Sequence, residues 1–236
     1  MAERKERGTA DSEDRTKSLY FGAASMPADG AWAQKRRLAS AMRRIIDRLV
    51  MSEAPQDQLS RAADVAERFA ESLGEHRQRQ RLWGFAEASN AGDVGAFFDQ
   101  SPMIGLSNPL APPLRLEVRD GTIHGEVVFG SAYEGPPGHV HGGFVAAAFD
   151  EVLGFAQSLS GNPGMTGSLT IRYRRPTPLH RALRFRATVD RIDGRKIYTS
   201  GKLLVDEVVT AEAEGLFISV DAAKFQALIE ASRKES

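Results

Sequence analysis

His139-Val-His-Gly-Gly-Phe-Val-Ala-Ala-Ala-Phe-Asp-Glu-Val-Leu-Gly-Phe-Ala-Gln-Ser-Leu-Ser-Gly161 is the stretch on which the fold turns. Its alanine-rich length and lack of an interior proline predict one helix that ends near Gly161. Between Phe144 and Phe155 it is apolar on nearly every side except at Asp150 and Glu151, the composition of a buried helix rather than a surface one. Upstream, Leu114, Leu116 and Val118, then Ile123 to Phe129, alternate or cluster around Asp120-Gly121, a hairpin signal, and Tyr133 to Gly138 is a Pro/Gly loop. Downstream, four long strands are expected at Met165 to Arg175, Ala182 to Ile192, Lys196 to Val205 and Val208 to Val220, separated by Pro-Thr-Pro, Asp-Gly and Asp-Glu turns. In the second of these, Leu183, Phe185, Ala187 and Val189 alternate with Arg184, Arg186 and Thr188, so one face packs and the other meets water. One apolar helix followed by a run of long strands predicts an α+β domain whose antiparallel sheet wraps around the helix.

Outward from this unit the texture changes. The first 20 residues are charged and rich in Ser, Thr, Gly and Asp and read as a disordered leader. From Trp32 to Val50, Leu38, Met42, Ile45, Ile46 and Leu49 recur at helical spacing. After Pro55, Leu59, Ala62, Ala63, Ala66, Phe69, Ala70 and Leu73 do the same, with Gly74 as a stop. These two segments predict a helical hairpin, whose stripe could also dock on a partner subunit, because so small a unit rarely buries enough surface to stand alone. A loop rich in Gly, Ser, Asn and Pro, from about 90 to 113, marks the boundary. The expected partition is a leader at 1–20, a helical extension at 21–95 and the sheet-and-helix domain at 96–236, closed by a short helix from Ala222 to Ser232.

Composition narrows the function. Of 236 residues 42% are hydrophobic and 26% charged, which suits a folded soluble chain, and 31 Lys and Arg balance 31 Asp and Glu. No global field therefore recruits nucleic acid or an anionic membrane. Cysteine is absent, which removes thiolate nucleophiles and fits a cytoplasmic address. The N-terminus lacks the apolar core of a secretory signal, and no run approaches the ~20 apolar residues of a membrane span. Charge is uneven along the chain, however. From Thr166 to Lys202 ten Arg and Lys stand against Asp190 and Asp193 alone, a local excess of eight.

Tyr-Glu-Gly-Pro-Pro-Gly-His-Val-His-Gly-Gly, residues 133 to 143, followed by Asp150, resembles the HGG-x6-D signature of the hotdog-fold acyl-CoA thioesterases, in the PaaI-like (phenylacetyl-CoA thioesterase-like) branch that includes mammalian thioesterase superfamily members. Met165-Thr166, Tyr173-Arg174-Arg175-Pro176, Gly194-Arg195-Lys196 and Gly215-Leu216-Phe217-Ile218 also fall where that family has similar residues. The resemblance covers about residues 100 to 221 and leaves the helical extension outside. It implies a hotdog domain that hydrolyses acyl-CoA thioesters with water and without metal or redox cofactor. It implies Asp150 as general base or as nucleophile on the acyl carbon, with Thr166 contributing to the site. It also implies coenzyme A contacts at Arg172, Arg174, Arg195 and Lys196, and dimers that pair helices across a twofold axis.

The residues themselves point the same way. Gly142 and Gly143 at a helix start offer backbone N–H groups without intrahelical partners, able to polarise a thioester carbonyl. Asp150 on an apolar helix is costly without work or a partner. It lies ~12 Å along the helix from Gly142, so the two could serve one carbonyl only across a homodimer or dimer of dimers with shared sites. Glu151 is turned ~100° away from Asp150. His141 either caps the helix or donates to the substrate carbonyl. His139 and His141 form an H-x-H pair with no third ligand, so no metal site is expected. His76, His124 and His180 read as surface or loop residues. Arginine forks suit the phosphates of coenzyme A, although the same cations would sit equally well as solvated charge on an exposed sheet face. Nucleic acid is disfavoured because only Tyr173, Phe185 and Tyr198 interleave with them. Two other functions compete with hydrolysis. One is a non-catalytic acyl-CoA-binding or regulatory hotdog protein. The other is a hotdog dehydratase or hydratase, whose G-D-x-N-P-x-H segment is matched only by Ser107-Asn108-Pro109 with no histidine following.

Overall fold

In the computed structural model, which describes residues 29–76, 99–162 and 164–219, the stretch quoted above forms one helix against a six-stranded sheet. The elements in chain order are helices α1 (Gly30–Val50) and α2 (Gln56–Gly74), strands β1 (Arg115–Arg119) and β2 (Thr122–Val127), and a 3-10 turn (Ser131–Tyr133). Helix α3 (Gly142–Ser158) follows, then strands β3 (Gly164–Tyr173), β4 (Leu183–Asp193), β5 (Lys196–Val205) and β6 (Val208–Ser219). Every strand pair is antiparallel, in the order β1-β2-β4-β5-β6-β3. The expected Asp-Gly hairpin is present, with Asp120 and Gly121 both at positive φ (49° and 73°). β3 ends two residues before the expected Arg175, because the N–H groups of Arg174 and Arg175 both turn to the Thr210 carbonyl (2.8 and 3.0 Å) ahead of Pro176.

The core is α3 against the curled sheet. Val145, Ala148, Phe149, Val152, Leu153 and Ala156, at helical spacing, are buried against Leu183, Phe185, Ile197, Leu203 and Phe217 from the inner face of the sheet. α3 touches β2, β3, β4, β5 and β6, which requires the sheet to bend around it. Two strand glycines let the helix come close. A Cβ on Gly201 or Gly215 would stand 3.2 Å from a Leu153 methyl. The phenyl rings of Phe149 and Phe185 meet edge to face, 5.1 Å between centroids. As expected for β4, Leu183, Phe185 and Ala187 are buried, whereas Arg184 and Arg186 are exposed.

Two expectations are corrected here. α3 is not enclosed on all sides: Gly142, Gly143, Ala146, Ala147 and Asp150 form a stripe that one curled sheet leaves uncovered. Nor do α1 and α2 close into a hairpin. No residue of α2 is buried, and it makes no extended packing with α1 or with the sheet. α1 does dock, but by its polar face. Trp32 Nε1 donates to Asp99 Oδ2 at 2.5 Å and Arg36 Nε to Asp99 Oδ1 at 2.8 Å, with Ser107 Oγ donating to the same carboxylate. Arg43 reaches the Leu106 and Asn108 carbonyls, and Asp47 accepts from the Ser131 N–H at 2.6 Å. The loops beneath α1 present unpaired carbonyls and N–H groups, so the face that supplies partners wins over the apolar stripe. The expected leader, the first half of the boundary loop and the C-terminal helix at Ala222 to Ser232 lie outside the described residues.

Asp99→Ala is expected to lower stability by about 3 kcal/mol, since it strands the buried side of Arg36 and the Trp32 indole. Hydrogen exchange should show α1 losing protection while β4 to β6 keep theirs. Unchanged protection of α1 would mean that this carboxylate does not hold the helix.

Candidate active site

The N-terminus of α3 is held from both sides. The loop before it is tied by His141 N–H to the Tyr133 carbonyl (2.9 Å), Gly135 N–H to the His139 carbonyl (2.9 Å) and Val140 N–H to the Thr177 carbonyl (2.8 Å). A Cβ on Gly135 would come within 2.7 Å of His141 Cα, so glycine is required for this close pass. Tyr133 is itself anchored: its hydroxyl donates to the Leu110 carbonyl, its ring meets Phe129 and Phe144 edge to face, and burial pushes its pKa up to about 12. On the far side, Tyr173 at the end of β3 donates its hydroxyl to the Gly142 carbonyl at 2.8 Å, and a Cβ on Gly142 would stand 3.4 Å from that hydroxyl. Tyr173 carried no functional signal in the sequence beyond its place in the Tyr-Arg-Arg-Pro segment.

His141 resolves as the N-cap of α3, its Nδ1 accepting from the Gly143 N–H at 3.0 Å. That bond amends the expected pair of open glycine amides: Gly143 is already satisfied, and Gly142 keeps an N–H with no partner among the described residues. Asp150 lies on the uncovered stripe of α3, where Thr166 Oγ1 donates to Asp150 Oδ1 at 2.8 Å. A bulge in β3 between Thr166 and Ser168 shifts the register there, the kind of irregularity that re-aims one side chain. The two residues are 16 apart in sequence and were singled out separately. The fold makes them one unit.

Glu151 faces another way, toward the loop that follows Asp99. Burial pushes its carboxyl up to about 7, the neighbouring Asp150 charge adds to this, and a hydrogen bond with Ser101 opposes it. Ser101 Oγ already accepts from the Met103 and Ile104 N–H groups (3.1 and 3.2 Å), which leaves its proton to donate. His139 Nδ1 lies 2.8 Å from the Pro137 carbonyl, and His180 Nε2 3.1 Å from Ser131 Oγ. Among the described residues no three His, Cys, Asp or Glu side chains group as metal ligands.

The basic stretch changes character once folded. Arg172 pairs with Glu214 (2.7 Å), Arg174 with Glu212 (2.8 Å), Arg184 and Arg186 with Glu207 (2.8 and 2.9 Å), and Arg181 with Asp206. Four carboxylates thus offset half of the expected excess of eight. They lie on β6 and on the turn before it, beyond the window in which the cations were counted. Arg195 and Lys196, in the β4–β5 turn, have no acidic partner among the described residues; Arg195 Nε donates to the Ser219 carbonyl at 3.1 Å. Register puts them at the Thr166 end of the sheet: Lys196 pairs Ile218, which pairs Met165.

A sequence profile of the thioesterase superfamily matches residues 137–213. A solved crystal structure of a thioesterase superfamily protein superposes with a TM-score of 0.72 at 36% identity, covering 82% of this chain and 97% of that one. The chain belongs to the thioesterase superfamily, and its curled sheet around α3 is the hotdog arrangement. Among individual relatives, acyl-coenzyme A thioesterase THEM4 of Bos taurus is 38% identical over 97 residues, 40% of this chain and 40% of that protein. Acyl-coenzyme A thioesterase THEM5 of Homo sapiens is 33% identical over 93 residues, 39% of this chain and 38% of that protein. The match thus spans about two fifths of the length of these relatives.

A carboxyl raised by burial binds its proton more tightly folded than unfolded, so its contribution to stability is lost as pH climbs from 4.5 through about 7. Urea unfolding across that window is expected to show this decline in the wild type and a flatter profile in Glu151→Gln. Equal slopes in the two proteins would remove Glu151 as the cause.

Proposed function

We propose that the chain is an acyl-CoA thioester hydrolase in which Asp150 acts as general base. The hydrogen bond from Thr166 to Asp150, on the uncovered stripe of α3, carries the reading. It holds one carboxylate oxygen and leaves the other to take a proton. Water gives that proton to Asp150 and attacks the acyl carbon. The oxyanion forms against the Gly142 N–H, at the positive end of α3, where a fixed donor stabilises the transition state by about 3 kcal/mol. Collapse breaks the C–S bond, the sulfur takes the proton back, and free acid and coenzyme A leave. No resident cofactor or metal enters this scheme.

Gly142 and Asp150 are eight residues and ~12 Å apart on one helix, too far to serve one carbonyl. We therefore propose a homodimer, or a dimer of dimers, that apposes the uncovered stripes of two α3 helices so that Asp150 of one copy faces Gly142 of the other. The small side chains of that stripe permit close approach. Arg195 and Lys196 are the cations best placed to meet the coenzyme phosphates. Arg172 and Arg174 could join them only by leaving Glu214 and Glu212. In this reading residues 96–236 form the catalytic unit and 21–95 its helical extension. A cytoplasmic address is part of the same proposal; no described helix is long and apolar enough to cross a membrane.

Thiol release from short, long and aromatic acyl-CoAs tests the assignment. Asp150→Asn is expected to lower it by roughly 10²- to 10⁴-fold with coenzyme A binding retained, and Thr166→Ala by less. Binding of every acyl-CoA without release by the wild type, or full release by Asp150→Asn, would overturn it; the first result would favour a non-catalytic acyl-CoA-binding protein.

A further inference from the structure

α1 and α2 carry matching faces that do not meet within one chain. On α2, Leu59, Ala62, Ala66 and Phe69 recur at spacings of three, four and three, the seam pattern of a coiled coil, and none of them is buried. On α1, Leu38, Met42, Ile45 and Leu49 recur at four, three and four. This stripe is separate from the face that docks through Trp32, Arg36, Arg43 and Asp47, and Ile45 and Leu49 are 62% and 59% exposed. The charges are complementary as well. α1 holds six cations against Asp47 alone, with Lys35, Arg37, Arg44 and Arg48 turned to solvent, whereas α2 holds four carboxylates against two arginines.

Two helices joined by a few residues would ordinarily close on each other. Here the connection ends on an extended Pro55 (φ −60°, ψ 153°), and α2 runs on without packing along α1. Among the described residues α2 is wholly exposed and the Ile45–Leu49 end of the α1 stripe is open, while Leu38 and Met42 are half-buried, so one chain presents two faces that do not pack on each other. A twofold exchange satisfies both at once, because each copy offers the same two faces. An anionic membrane is a poorer occupant for α2, since its polar side is net acidic.

We propose that α2 is an arm whose Leu59–Phe69 seam docks along the Leu38–Leu49 stripe of α1 in a second copy of this chain. The interface is separate from the α3 pairing proposed above and stands whether or not the chain hydrolyses acyl-CoA.

The cysteine-free sequence makes the test direct, because introduced thiols are the only ones present. Tagged full-length chains carrying Ala62→Cys or Ala66→Cys are co-expressed with untagged chains carrying Ile45→Cys or Leu49→Cys and treated with a short bismaleimide. The expected product is a covalent tagged–untagged pair. Leu59→Glu/Phe69→Glu introduced into the chain that carries the α2 cysteine, with its helix content unchanged by circular dichroism, should abolish that product. Absence of the tagged–untagged product, or its undiminished formation with the glutamate variant, would overturn the proposal. So would failure of the pair to cross-link while the chain co-sediments with phosphatidylserine vesicles.

Discussion

Burial of one face of α3 is the constraint on which the rest of the molecule depends. A 17-residue helix that places Phe149, Val152 and Leu153 on one side needs more apolar surface than a flat sheet can offer it, so five strands bend to meet it. The bend has local requirements. Glycine at 201 and 215 lets Leu153 sink toward β5 and β6, and the inward side chains of β4 alternate with arginines that stay in water. Because a single sheet covers a single side, the opposite side of α3 is left for other uses, and that is where Asp150 stands.

Polar satisfaction decides what is attached to this core. Asp99 is nearly inaccessible, yet it accepts from the Trp32 indole, the Arg36 guanidinium and the Ser107 hydroxyl, and these bonds hold its carboxyl below the usual range against the cost of burial. The same economy governs the outer sheet face, where Glu207, Glu212 and Glu214 meet Arg172, Arg174, Arg184 and Arg186. Each exposed pair adds little stability alone. Together they replace a basic field by a mixed one and leave Arg175, Arg191, Arg195 and Lys196 without an acidic partner among the described residues.

The candidate site is a meeting of irregularities. A histidine cap replaces the first helical partner of Gly143, a tyrosine from the far end of β3 fastens the Gly142 carbonyl, and a bulge at the near end of the same strand accompanies the contact between Thr166 and Asp150. β3 thus contacts both ends of the α3 stripe from the edge of the sheet. Within one chain the two ends remain apart, so the chemistry proposed for them is a property of an assembly.

By itself the sequence determined the elements and their order. The hairpin at Asp120-Gly121, the strand from Lys196 to Val205 and the helix after His141 follow from side-chain period, turn residues and caps, all of which act over a few residues. The resemblance to the HGG-x6-D motif singled out Gly142 and Asp150 as candidate site residues. Tertiary structure alone decided which face of α1 docks, that Thr166 meets Asp150, that Glu151 sits where its proton is retained toward pH 7, and that Arg172 and Arg174 are engaged by Glu214 and Glu212. Those outcomes depend on the register between strands distant in sequence and on which loop carbonyls and amides are left needing partners. Neither is set until the sheet has closed on α3.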